Sequence, residues 1–393
     1  MTDSTTNLEY QVTRFQRWMS TEALPLWTTA GIDPQTGAVY ERLDNNGHVD
    51  TASTKRVRVQ ARQMFSFTTA ESFGWSSGNR KLINDIWRFT RIHGCHPEHT
   101  QTYVHLLDHS DQVTDGKQDL YDLAFHLLAA GTRYREFKQP LDLEHADQLL
   151  NHIENYFSAP NGGWYEGDYD APYRRQNPHM HLFEAFMTLY EASNNGKWLA
   201  KAGQIFSLFE GVFYDHQHQV LLEFFDDNWT PMTVDGQTII EPGHMLEWVW
   251  LLDWYSKLTG TKVKHFCQTL YQRALQIGTD PNSSVIYDAT TPDGTPIGST
   301  KRMWPMTELI KASLVLAQWQ PNIYEAEAAK AIDRLFHYYI SPAPSGSYID
   351  QLGSDNDVIS THAPASTLYH LIVALAESCE YLSKSGLALS RRA

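Results

Sequence analysis

Two histidines, each followed one helical turn later by a glutamate, are the residues of this chain best suited to proton chemistry. In EPGHMLEWVWLL, His244 and Glu247 are three residues apart, and in RRQNPHMHLFEAFMTLY the same spacing links His181 to Glu184. Positions i and i+3 of a helix share a face, so each carboxylate is placed to fix the tautomer of its imidazole and raise its basicity. Held in this way, His244 is an acid/base for work near neutral pH; the plainer alternative is a buried ion pair that only fixes packing. His181 lies in the first turn of its helix, where the dipole favours the neutral ring and suits it to hydrogen-bond a hydroxyl. His179 is expected to point elsewhere. Asn177, just ahead of it, caps the helix or presents its amide to a substrate hydroxyl. Arg62 in VQARQMFSF, Trp304 and Glu308 in RMWPMTELIKA, and His370 in STLYHLIVAL complete the set. A fixed guanidinium such as Arg62 stabilises a developing oxyanion. A lone histidine in an apolar helix is ordinarily a satisfied core residue, but the regular spacing of His370 with His181 and His244 argues for a shared site.

That spacing belongs to the elements that carry these residues. Pro178, Pro242, Pro305 and Pro364 each precede an apolar helical run, at intervals of 64, 63 and 59 residues. Proline suits the first position of a helix, where its missing N–H costs nothing. Stepping back by the same interval reaches Asp115 and then Ser53, both polar openings to apolar runs. About 60 residues is two helices and two connections, so the chain reads as six helical hairpins. Stacked as a solenoid, they would string the polar residues out over a long surface. Closed into an (α/α)6 barrel, they would bring the N-terminal ends of the inner helices, and with them the polar residues, to one pocket. Closure is therefore the expectation, as a single domain over 1–393.

Composition excludes several other classes. A net charge of −15 speaks against nucleic acid and against an anionic membrane surface. Cys95, Cys267 and Cys379 are odd in number and far apart, which predicts free thiols and a reducing compartment. The opening MTDSTTNLEY lacks the basic and apolar regions of a signal peptide, and no apolar run is long enough to span a bilayer; a cytoplasmic protein is expected. The 12 Trp, 20 Tyr and 17 Phe suit both helix packing and a cavity in which sugar C–H faces lie on aromatic rings. His93, His96, His99, His105 and His109 have ligand-like spacings but no paired-cysteine or acidic ligand set, so no metal is expected there. Phosphate-cradling glycine loops, GxSxG elbows and dinucleotide fingerprints are absent. The glycine- and aromatic-rich segment SAPNGGWYEGDYDAPYRR is a candidate cover for the site.

With these segments in hand, RRQNPHMHLFEAF, EPGHMLEWVWLL, RMWPMTELIKA and THAPASTLYHL together resemble the N-acyl-D-glucosamine 2-epimerase family, from QARQMFSF through His370 and Leu371. The resemblance implies an (α/α)6 barrel, a free sugar as the small-molecule substrate, and no cofactor. It implies that His244, beside Glu247, assists ring opening by moving a proton between O1 and the ring oxygen. His370 would remove the C2 proton of the open-chain aldose, and Arg62 would stabilise the cis-enediolate. Asn177, His181, Trp304 and Glu308 would bind hydroxyls or a ring face and hold the histidines. Return of the proton to C1 by His370 gives a ketose; reprotonation of C2 from the other face, by His244, gives an epimer. Within the family, the length and the RQNPHMHLFEAF segment are most like the bacterial mannose isomerases, which implies D-mannose and D-fructose. Alternatives are N-acylglucosamine or cellobiose 2-epimerase, and sulfoquinovose isomerase, for which Arg175 and Arg302 are anion-binding candidates. The rival from another class is an inverting glycoside hydrolase using Glu247 and Glu308. The assembly is expected to be a monomer or homodimer.

Overall fold

The computed structural model describes residues 7–385, so the first six residues of the opening segment and the last eight of the chain lie outside it. Six inner helices form a ring: α3 (Val57–Ser72), α5 (Leu120–Phe137), α7 (Gln176–Ser193), α9 (Pro242–Thr259), α11 (Trp304–Ala317) and α13 (Leu368–Lys384). Each packs on the next, and α13 packs back on α3, closing an (α/α)6 barrel. Five outer helices each follow their inner partner: α4 (Arg80–His93), α6 (Pro140–Tyr156), α8 (Gly196–Leu208), α10 (Lys264–Gly278) and α12 (Pro321–Leu335). The sixth comes from the other end of the chain. Helix α1 (Leu8–Trp18), continued through a π-turn into α2 (Leu24–Thr29), packs against α12 and α13.

The two rings differ in sequence as they differ in burial. In α9, Pro242 to Asp253 is buried without a break, as befits a helix covered on every side. In α4, only Ile83, Ile86, Phe89 and Thr90 are buried, a single stripe against the inner ring. No helix among the described residues is long and apolar enough to cross a membrane. Cys95, Cys267 and Cys379 are free thiols.

A second repeat lies in the chain just ahead of each inner helix. One or two extended residues there pair antiparallel with the loop of the following unit: Arg56 with Leu106, Asp119 with Gly167, Arg175 with Phe224, Ile240 with Thr290, and Arg302 with Gln351. The sixth pairing wraps around the chain, joining His362–Pro364 to Arg42–Asp44. These bridges seat the helix starts, and they shift several from the predicted positions. Helix α3 begins at Val57, beyond Ser53, and α5 begins at Leu120, where Asp119 caps it in place of Asp115 by accepting from the Asp122 N–H at 3.3 Å. Pro242 is the first residue of α9 and Pro305 the second of α11, whereas Pro178 is the third of α7. Pro364 ends a strand, and a 3-10 turn (Ala365–Thr367) separates it from α13.

One buried ring has an energetic cost that can be measured. His126 of α5 lies flat on Tyr103, with ring centroids 3.6 Å apart, and neither of its nitrogens has a hydrogen-bond partner. Burial drives it to remain neutral, lowering its pKa to about 3. The unfolded chain takes up that proton near pH 6.5 and the folded chain does not, so this residue lowers stability progressively as pH falls from about 6.5 towards 3. His126→Phe is expected to gain on the wild type by about 1.4 kcal/mol per pH unit over that window, as measured by urea unfolding at pH 5 and pH 8.

Candidate active site

The polar residues converge because each sits in the first two turns of an inner helix. Arg62, Asn177, His181, His244, Glu247, Trp304 and His370 all line one cavity of about 370 Å³ at the N-terminal mouth of the barrel. Glu308 does not reach it. That carboxylate is 0 % exposed and lies beneath His370, so its expected contact with substrate is corrected to a supporting role. Tyr121, Arg58, Arg302, Glu241 and Asp350 line the cavity as well.

Trp304 stands between the two histidines, its ring centroid 5.1 Å from that of His244 and 5.5 Å from that of His370. Gly243 makes room for it, since a Cβ there would come within 2.5 Å of the indole. The histidines are held in opposite protonation states. The His244 Nδ1–H donates to both oxygens of Glu223 at 3.1 Å, with Glu241 at 3.5 Å. Burial alone would neutralise this imidazole, but Glu241 and Glu223 outweigh it and push it up to about 10. The His370 Nδ1–H donates to Glu308 Oε1 at 3.0 Å. Here burial dominates over Glu308, and the ring is lowered to about 4. Near neutral pH the cavity therefore presents an imidazolium and a neutral imidazole whose free nitrogen is Nε2.

Glu223 takes the part expected of Glu247. It is an isolated acid in the apolar run VLLEFF, placed by pairing of β5 (Arg174–Arg175) with β8 (Phe224–Phe225). Gln176 secures it: the Trp248 indole N–H donates to Gln176 Oε1 at 2.8 Å, which turns the amide N–H₂ towards Glu223 Oε2 at 2.9 Å. Glu247 faces the cavity floor with neither oxygen hydrogen-bonded. Burial first, and then the nearby Glu308, raise its pKa, so it is a protonated acid able to donate to a substrate oxygen.

The opposite wall is aromatic and cationic. Arg62 lies over Phe125 at 4.0 Å, donating to Ser366 O at 3.2 Å and to Tyr121 Oη at 2.5 Å. With that oxygen accepting from Arg62, the Tyr121 hydroxyl proton is free for a ligand. His181 donates through Nδ1 to Glu184 at 3.2 Å, and burial holds it neutral. Asn177 Oδ1 is buried without a partner, so it is an unused acceptor at the cavity rather than a helix cap. His179 does point elsewhere, donating to Arg175 O and accepting from the Trp164 N–H.

Other expectations fare differently. No residue from 158 to 175 lines the cavity. That segment is pinned down instead, by Glu166 on Arg175, Tyr169 on Asp119 and Arg174 over Trp229. Arg175 is thereby engaged, whereas Arg302 reaches the cavity and makes no ion pair among the described residues. His105 bonds Asp122, and His96 Nδ1 accepts from backbone N–H groups. The sets of ligand-type atoms that do come within 4.8 Å of one another lie at the cavity: Glu223, Glu241 and His244; His181, Glu184 and Glu247; and Glu247, Glu308 and His370. In the last set Lys311 already supplies a cation, 2.6 Å from Glu308. An inverting hydrolase needs its carboxyls about 6.5–9.5 Å apart across the substrate; Glu247 and Glu308 approach within 4.8 Å and Glu308 does not line the cavity.

The sequence matches the profile of the N-acylglucosamine 2-epimerase (GlcNAc 2-epimerase) family over residues 38–374. A mannose-6-phosphate isomerase of Rhizobium meliloti (strain 1021) is 30% identical over 382 residues, covering 94% of this chain and 97% of that protein. A D-mannose isomerase of Marinomonas mediterranea is 24% identical over 328 residues, covering 72% and 75%. The cellobiose 2-epimerase of Spirochaeta thermophila has the same fold, with TM-score 0.84 at 16% identity over 96% of this chain and 98% of that one. The chain belongs to the N-acylglucosamine 2-epimerase family and is a sugar isomerase or epimerase.

Proposed function

We propose that this protein is an aldose–ketose isomerase interconverting D-mannose and D-fructose. The observation that carries the reading is the pair of histidines on either side of Trp304, His244 held on the Glu223 and Glu241 carboxylates and His370 held through Nδ1 on Glu308 so that Nε2 faces the cavity. The His244 imidazolium donates its proton to the ring oxygen as the C1–O5 bond breaks and takes the O1 hydroxyl proton in return, and the cyclic sugar opens to the aldehyde. His370 Nε2 removes the C2 proton, the cis-enediolate forms against Arg62 and Tyr121, a proton passes from O2 to O1, and the His370 imidazolium returns its proton to C1 as the C2 carbonyl forms. Glu247 donates to a hydroxyl at the floor, and Asn177 and His181 hold others. A two-base 2-epimerase would use the same pair, His370 as the base on one face of C2 and the His244 imidazolium as the acid on the other; likeness to the D-mannose isomerase of Marinomonas mediterranea favours isomerisation. A cavity near the lower end of the roughly 300–1,000 Å³ usual for small ligands suits one sugar ring. The test is product analysis with D-mannose, glucose, N-acetylglucosamine and cellobiose after chelator treatment. Fructose from mannose is the expected product; an epimer without ketose would refute the reading.

A second reading is favoured by Arg302 and by the name of the Rhizobium meliloti relative: the sugar carries a 6-phosphate. Under that reading Arg302→Met raises KM for mannose 6-phosphate by about tenfold or more and leaves free mannose unaffected. Equal effects on both substrates would assign Arg302 to neither.

A further inference from the structure

Lys311 is a fully buried cation near the catalytic end, and the mechanism above does not use it. It is 0 % exposed, and its Nζ lies 2.6 Å from Glu308 Oε2 and 3.8 Å from the centroid of the Trp250 ring. The other oxygen of the same carboxylate, Oε1, accepts from His370 Nδ1 at 3.0 Å. One glutamate is therefore shared between a lysine that does not line the cavity and a histidine that does.

Resting on the reading of His370 as the base, we propose that Lys311 is a positioning residue. Its ammonium, clamped on one oxygen of Glu308, keeps that group a carboxylate, so that the other oxygen holds the His370 Nδ1–H and leaves Nε2 free for the C2 proton. The surroundings make the clamp necessary. Glu247 of α9, Glu184 of α7 and Glu377 of α13 all face the ammonium, and Glu308 comes from its own helix. Burial together with the mutual repulsion of that many carboxyl groups disfavours their ionisation. Burial also works against Glu308, and Lys311 and His370 reverse it, leaving this one carboxyl lowered. Around His370 itself, Arg62 of α3 and Lys311 repel a proton while Glu308 attracts it. Tyr121 of α5 lies behind Arg62, and His244 of α9 lies across Trp304.

Without the ammonium, the Glu308–His370 pair has reason to keep a proton. A carboxyl with no other cation either protonates or draws the proton onto its imidazole, and Nε2 is then occupied near neutral pH. Lys311→Met is therefore expected to move the acidic limb of kcat/KM upward by about three pH units, from near 4 towards 7. At pH 6 the loss should be about tenfold or more, and at pH 9 within a few-fold of wild type, with KM for mannose little changed. Lys311→Arg keeps the charge and is expected to keep the limb within about half a unit.

The experiment is the pH profile of mannose isomerisation for wild type, Lys311→Met and Lys311→Arg, with thermal melts of each and His370→Ala as the companion. An acidic limb moved by Lys311→Met and retained by Lys311→Arg supports the proposal. An unmoved limb, or a loss parallel at every pH, would overturn it, and so would a Lys311→Arg profile displaced as far as that of the methionine variant. Should Lys311→Met not fold, Lys311→Gln, which also lacks the charge, is read in its place by the same criteria. Substantial turnover by His370→Ala would instead reject the base assignment on which the proposal rests.

Discussion

Replacing His370 by alanine or asparagine is expected to lower kcat by about 10³–10⁴-fold while KM changes by less than about threefold. The reason is geometric before it is electrostatic. His370 is the third residue of α13, and its Nδ1 is fixed on a buried carboxylate, so Nε2 faces the cavity beside Trp304. Of the three cavity histidines, His244 is occupied by a proton and His181 spends its Nδ1–H on Glu184 beside Phe125. No other neutral ring is held against the Trp304 face. Steady-state kinetics with mannose, together with solvent deuterium incorporation at C2, measures both halves of the expectation: turnover and exchange fall together. Exchange that survives the substitution would place the base elsewhere.

The second large effect is expected at Glu223, a residue that touches His244 rather than the sugar. Glu223→Gln keeps the shape and removes the charge on which the His244 proton depends. In the proposed mechanism His244 acts as an acid, so activity falls as pH rises through its pKa. In the wild type that basic limb lies near pH 10, and in the variant it should drop by about one to two units, with kcat at pH 10 falling about 5- to 50-fold and kcat at pH 8 by no more than about twofold. Stability follows the same group with a definite sign. A histidine whose folded pKa is raised contributes stability that is fully present below about pH 6.5. That contribution is lost as pH rises through the folded value near 10. The variant is thus expected to be less stable than wild type at pH 6 and to converge on it above pH 10. Urea unfolding at the two pH values, run beside the pH–rate profile, checks both.

Much of the ring was legible because it repeats. The prolines and the isolated polar residues in apolar helices mark five of six inner helices directly, and every residue so marked except Glu308 lines the cavity. What escaped was long-range. Glu247 is the nearest carboxylate to His244 on its own helix, yet the hydrogen bond goes to Glu223, 21 positions earlier, because a two-residue strand pairing delivers that loop to the mouth of α9. Local spacing ranks partners by helix geometry alone and cannot see such a bridge. The cue available was an acid inside VLLEFF, where an unpaired charge has no reason to be. The same limit hid the closing step, in which α1 at one end of the chain completes the hairpin begun by α13 at the other. Lys311 was hidden differently, as one of several polar residues in a helix whose neighbours decide its role. A buried ammonium reads as an error in a sequence and as a clamp once Glu308 and His370 are placed around it.

The central claim is that one neutral imidazole moves a proton between C2 and C1 on a single face. Proton NMR of D-mannose incubated with the protein in D₂O tests it most directly. The account expects fructose whose deuterium enters C1 at one of its two stereochemical positions, with no glucose formed. Glucose deuterated at C2 in the absence of fructose would contradict it, because that product requires a second group acting on the opposite face.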